Sequence, residues 1–310
     1  MTPAWLFPVV TTVAALTGGL HPAGATRWGE AGHRITAQAA IGAVPADMPA
    51  FFRAAGPQLT YLNPEPDRWR NRVEAARDGA LEGATAPDHF IDLEMIPARS
   101  RTGALLAKDR FAYADSLRAH GVNPATVGVL PFAIVELTQR LRLGFRAWRV
   151  APNAQVREWI EARILNDAGI LGHYVADGSN PAHTTIHYNG WVGDNPGGFA
   201  TDTRFHGRFE SAYVQARIRL DDVRPLVDVE PKVYGNLRQG VVDYLLTTNA
   251  NVIRLYQLDR DHPFNAETTA MENHEFTRTR LAAGAQMLRD LWWTAWVTSG
   301  QDGIDTRPDR

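Results

Sequence analysis

The chain has 310 residues, 45% hydrophobic and 21% charged, and its 32 basic and 34 acidic side chains give a formal net charge of −2. That composition fills a core, and it excludes a disordered chain and a globally basic nucleic-acid coat, leaving only a local basic patch open. With no cysteine, disulfide scaffolds, thiol nucleophiles, iron–sulfur clusters and cysteine-type zinc fingers are excluded, so any metal would rest on Asp, Glu and the ten histidines.

In chain order, residues 5–20 form an uncharged, mostly apolar run broken by Pro8, Gly18 and Gly19, followed by the small-x-small step Ala23-Gly24-Ala25. This predicts a signal peptide over 1–25, extending at most to 27, and a mature protein that is periplasmic or secreted. No later stretch is long and apolar enough to span a bilayer. Helices are predicted over 35–43, 131–142, 156–176 and 241–258, and over a C-terminal stripe of Leu281, Ala285, Leu288, Trp292 and Trp296 that reads as core. The best strand signal is HFIDL at 89–93. Residues 188–198, rich in Gly and Asn, read as a long loop, and 300–310 as a polar tail. The economical architecture is one all-α domain over 28–299.

The histidines are clustered in sequence. His173 and Asp177 lie four apart at the end of the longest periodic segment, so both project from one helix face. His183 follows in NPAH, and His206 and Glu210 repeat the four-residue spacing. Histidine with carboxylate, and no thiolate, suits zinc in a hydrolytic site. The competing reading is a set of capping and surface histidines. Further candidates lie upstream: Trp28 and His33 in WGEAGH, Asp67 in PEPDRWR, and His89 in PDHFIDLE. Taken singly, each has an ordinary role as a helix residue, an N-cap after Pro66, or a half-buried histidine.

Together, in this order, these residues resemble the superfamily of zinc-dependent phospholipases C and single-strand-specific zinc nucleases. The resemblance runs from Trp28 to about residue 215. It takes in Trp28 and His33, then Asp67 with Arg70 three residues on, then His89. An H-x-x-x-D…P-x-H block follows (His173, Asp177, Pro181, His183), one residue longer before Pro181 than the family pattern, and then His206 and Glu210. It implies an all-α domain of that type and a phosphate-ester hydrolase with three zinc ions. One would be held by Asp67, His89 and His173, a second by the amine and carbonyl of Trp28 with His33, and the third by His183, His206 and Glu210. Asp177 would bridge the first two, and Asp67 would orient the attacking water or act as base. Cleavage after Ala25 leaves Thr26 and Arg27 ahead of Trp28, so a further maturation step to Trp28 is expected.

The substrate expectation is a phospholipid head group, with transient contact to a membrane surface. Glu210, Phe209 in the place where the nucleases carry Trp, the block GHYVADGSNPAH, and the lack of a flanking basic stripe all lean that way. Single-stranded nucleic acid is the alternative substrate, and a zinc-stabilised protein without turnover the second alternative. Tyr188, Trp191 and Phe199 are candidates to cage a choline group or stack a base, or simply to pack the loop. Asp88 and Asp92 are candidates to orient His89, or else solvated carboxylates.

Overall fold

A computed structural model describes residues 28–301 of the chain. The expected signal peptide and residues 302–310 of the expected tail lie outside the described residues.

The described residues are all-helical, with no strand among them and one isolated backbone bridge between Tyr188 and Gly190. Six helices have ten or more residues: α1 (Gly29–Gly42), α2 (Leu130–Arg149), α3 (Ala154–Ser179), α4 (Leu237–Asn249), α5 (Val252–Asp261) and α6 (Met271–Thr298). The helix α3 is the axis of the molecule and packs on α1, α2, α4 and α6. Its start is capped by Asn153, whose side chain accepts from the Val156 N–H at 2.9 Å. From Asp167 to Ser179 every residue is buried. A helix surrounded in this way needs no polar face, so histidine and aspartate on its last turns meet other protein rather than water.

The periodic stripe of α6 is core from Leu281 to Trp292: Leu281, Ala285, Leu288 and Trp292 are fully buried, the Trp292 ring meets Phe52 edge-on at 5.2 Å, and Trp296 is only partly buried, with Arg149 over its ring. The helices α2 and α3 include and outrun the segments predicted from periodicity, and α1 begins six residues before its predicted segment and ends one residue short of it. Two expectations need correction. The apolar period over 241–258 continues across a break, because Asn251 holds the N-cap position of α5 and its side chain donates to the Thr247 carbonyl at 2.8 Å, turning the chain between α4 and α5. HFIDL is not a strand. His89 ends a short 3-10 turn (Ala86–His89) and Phe90 is extended. The Ile91 and Leu93 N–H groups then donate to the His183 and Thr184 carbonyls, and that of Asp92 to Val127. The segment satisfies its backbone against turns, so its alternating pattern marks burial without a ladder.

No helix among the described residues is long and apolar enough to cross a membrane.

Candidate metal centre

Six separate pieces of chain deliver the candidate ligands to one place. His33 comes from α1, and Asp67 from the short helix Glu65–Trp69, where it lies inside the turn while Pro64 holds the N-cap position. His89 ends its 3-10 turn, and His173 and Asp177 come from α3. His183 closes a 3-10 turn (Pro181–His183) capped by Asn180, whose side chain accepts from Ala182 N–H at 3.0 Å. His206 and Glu210 come from the stretch Phe205–Gly207 and the π-helical turn Arg208–Tyr213. A π turn inside a helix is an uncommon device, frequent at functional sites.

Three groups of ligand atoms result, each with its members within 4.8 Å of one another: Asp67, His89 and His173; His33, His173 and Asp177; and His183, His206 and Glu210. The Asp177 carboxylate sits among four imidazoles: His89 Nδ1 at 3.0 Å, His173 Nε2 at 3.4 Å, His183 Nδ1 at 3.5 Å and His33 Nε2 at 3.6 Å. His173 belongs to two of the groups. The first and third groups are the triads expected from the sequence. Trp28 is fully buried, its indole N–H donating to the Ala176 carbonyl at 2.7 Å, and its backbone N–H donates to the Glu210 carboxylate. The Trp28 nitrogen therefore meets the third group, whereas His33 stands with His173 and Asp177.

The second ring nitrogens show how the cluster is aimed. His173 Nδ1 faces the Asn63 carbonyl at 3.0 Å, His183 Nδ1 the His89 carbonyl at 2.7 Å and His206 Nδ1 the Tyr188 carbonyl at 2.9 Å. A carbonyl only accepts, so each of these rings carries its proton on Nδ1 and leaves Nε2 as the inward lone pair. Such outer partners fix the ring orientation that metal binding needs. Burial, with the neighbouring His33, His89 and His183, pushes the pKa of His173 well below the usual value and keeps it in the neutral, ligating form.

The third group holds an open account. Glu210 is completely buried, and its Oε1 has no hydrogen-bond partner. His206 Nε2 lies 2.9 Å from Glu210 Oε2 without the alignment of a hydrogen bond. Burial raises the pKa of Glu210, but the neighbouring His206 and His183 outweigh it and hold the carboxyl down to about 2. An ionised carboxylate with one oxygen unpartnered, facing two imidazoles, fits a divalent cation. These buried His, Asp and Glu groups can hold metal ions.

Beside the third group opens a cleft of about 160 Å³, lined by Phe90, Asp92, Thr126, Ala182, His183, Tyr188 and His206. Of the loop aromatics, Tyr188 is 49% exposed at this cleft. Trp191 and Phe199 are packing: Trp191 stacks on His187 at 3.8 Å and meets Phe199 at 4.8 Å and Tyr256 at 5.3 Å. Phe209 is fully buried against Trp28. Asp88 pairs with Arg110 at 3.2 Å. A larger surface cleft of about 790 Å³ lies among Arg217, Arg254, Phe276 and Arg280, and it contains none of the candidate ligands. Two further residues belong to the centre and were not singled out from sequence. Asn63 takes both His33 and His173, and Asn180 donates to Glu210 Oε2 at 3.2 Å. The N-cap pattern before Pro181 was a legible signal for Asn180; for Asn63 only an Asn-Pro turn could be read.

Comparison of the chain with protein-family models, with characterised proteins and with solved structures finds no match.

Proposed function

We propose that the protein is a zinc-dependent hydrolase of phosphate esters, of the phospholipase C and single-strand nuclease type, exported and matured to begin at Trp28. The observation that carries this reading is the convergence of His33, Asp67, His89, His173, Asp177, His183, His206 and Glu210, scattered over the sequence, into three adjacent ligand groups. Nitrogen and carboxylate donors without sulfur favour zinc in a hydrolytic role. Zinc bound there offsets the charge of a phosphate ester and lowers the pKa of water to roughly 7.

The chain's own residues divide the work. Asp177 holds neighbouring groups in register from the middle of four imidazoles. The Asp67 side chain keeps 12% exposure where those of Asp177 and Glu210 have none, so it is the carboxylate placed to orient the attacking water or take its proton. The ester enters by the cleft at His183 and His206.

A phospholipid head group is the first choice of substrate. The cleft lining contains no Lys or Arg, which weighs against a strand tracked by its phosphates. Phe209, completely buried against Trp28, contributes to the family likeness as a core residue. The exposed Tyr188 ring at the cleft favours the second reading, a nuclease that stacks a base.

The test is one purified sample assayed for zinc, for hydrolysis of a chromogenic phosphocholine ester, and for hydrolysis of single-stranded DNA and RNA, each with and without chelator. Chelator-sensitive ester turnover without nuclease activity is expected. Nuclease activity selects the second reading, and zinc without turnover selects a metal-stabilised protein. An intact mass beginning at Thr26 in active, zinc-loaded protein would overturn the maturation step.

A further inference from the structure

We infer that Asn63 is a positioning residue: it clamps one histidine through its side chain and another through its backbone, and so sets the metal affinity of two of the three groups. The inference rests on the metal-centre reading above for its consequence, but the clamp itself is a property of the metal-free chain.

Asn63 is completely buried just after the helix Gly56–Leu62. Its backbone carbonyl faces His173 Nδ1 at 3.0 Å and its side-chain Oδ1 faces His33 Nδ1 at 3.1 Å. The two imidazoles lie stacked, centroids 4.0 Å apart and planes 12° from parallel. Both acceptors select the same tautomer, with the proton on Nδ1 and the lone pair on the Nε2 that faces Asp177. For His33 this depends on which end of the amide faces the ring. Turned end for end, Asn63 would donate to Nδ1 and put the His33 proton on the inward nitrogen, where it blocks a metal. The other end of the amide, Nδ2, is buried without a hydrogen-bond partner. Leaving a buried donor unsatisfied is unfavourable, and such exceptions call for a reason; keeping Oδ1 on His33 supplies one.

The amide is also held from behind. A Cβ on Gly172 would come 2.3 Å from Asn63 Nδ2, and one on Gly169 would come 2.3 Å from Leu62 Cβ. Two glycines one turn apart on α3 thus make the seat into which residues 62–63 fit, directly beside His173. What these glycines supply is room for close approach. The third group has no share in this clamp, since His183 and His206 are turned by the His89 and Tyr188 carbonyls.

The experiment titrates the full mature chain, and its Asn63→Leu, Asn63→Asp and Gly172→Ala variants, with zinc against a competing chelator. A parallel arm records the ring-nitrogen NMR signals of His33 in metal-free protein. Asn63→Leu should weaken one zinc by about 10–100-fold, the cost of losing an outer partner. Asn63→Asp, which keeps an acceptor in place, should stay close to wild type. Gly172→Ala displaces both the amide and the carbonyl and should weaken two. The zinc at His183, His206 and Glu210 is the internal control and should not change. Unaltered zinc affinity in Asn63→Leu, an equal loss in Asn63→Asp, or a parallel loss at all three groups would overturn the clamp. If wild type binds no zinc, the metal reading fails and the clamp is judged on the NMR arm alone. There, His33 should be held as the Nδ1–H tautomer in wild type and Asn63→Asp and lose that preference in Asn63→Leu; an unchanged tautomer overturns it.

Discussion

Among the described residues, two buried charged clusters deal with burial in opposite ways. Around Arg289, fully buried on α6, the guanidinium donates to Asp290 Oδ1 at 2.7–2.8 Å, to the Glu230 carbonyl at 3.1 Å and to the Asp228 carbonyl. Asp290 also accepts from Lys232 N–H at 3.0 Å. One cation meets one anion, and none of the Arg289 or Asp290 side-chain atoms is left without a partner. The node pins the strap at 228–232 onto α6, and it is closed. In the histidine cluster three carboxylates face five imidazoles, and Glu210 Oε1 and Asn63 Nδ2 lack partners. Closed polar networks rigidify a fold, whereas a partly open one marks a place where something else completes the accounting. The difference teaches how to tell a structural buried charge from a ligand-holding one without reference to relatives.

Replacing one member of each cluster separates the two roles most sharply. Arg289→Met leaves the Asp290 carboxylate without its cation and two strap carbonyls without donors. Breaking a buried pair on one side costs about 3–5 kcal/mol, and that loss should appear in urea unfolding of the metal-free protein. Adding Asp290→Leu should recover part of it, because removing both charges restores balance. Zinc content per folded molecule should not change. Next in size, Asp177→Asn should leave metal-free stability within about 1 kcal/mol, since asparagine keeps the shape and an acceptor oxygen among the same imidazoles. Hydrolysis should fall by more than about 100-fold, beyond the usual cost of an outer partner, and zinc should be lost from the groups that contain His33 and His173. If Asp177→Asn destabilised the metal-free chain as much as Arg289→Met while keeping its zinc, the distinction between open and closed clusters would collapse.

The sequence makes the helices legible wherever apolar periodicity is unopposed, as in α3 and α6. It misleads where a local side-chain bond overrides periodicity: Asn251 breaks a pattern that continues on paper, and HFIDL alternates because it is buried, while its backbone bonds go to turns. All the candidate histidine, aspartate and glutamate ligands could be read, because their type and spacing carry their chemistry. What turns them could be read only for Asn180. The carbonyls of Asn63, His89 and Tyr188 aim three of the five imidazoles, and a carbonyl belongs to every residue, so composition and spacing give it no signature. Phe209 is completely buried against Trp28, so its side chain belongs to the core.

His187 supplies the smallest and most discriminating test, because it is a histidine in the loop between His183 and His206 that belongs to neither cluster. Its ring lies flat on Trp191, 3.8 Å away and 3° from parallel, and its Nδ1 accepts from Val192 N–H at 3.0 Å. Burial pushes its pKa below the usual value, so the ring is neutral and the acceptor lone pair is available at neutral pH. These contacts tie the 187–192 turn together, and Tyr256 reinforces it by donating its hydroxyl to the His187 carbonyl. His187→Ala removes the stack and the Nδ1 acceptor but leaves that carbonyl in place. The expected cost is about 1 kcal/mol of stability, in the range of one aromatic pair. Turnover should fall by less than about tenfold, which corresponds to at most 1.4 kcal/mol at the transition state. Zinc content should be unchanged. His187→Phe, which keeps the stack and loses only the acceptor, should lie between wild type and alanine in stability. A loss of zinc or a hundredfold loss of turnover in His187→Ala would mean that the loop histidine acts as a ligand or substrate contact, and that membership of the three groups is not what separates the candidate metal-holding histidines from the rest.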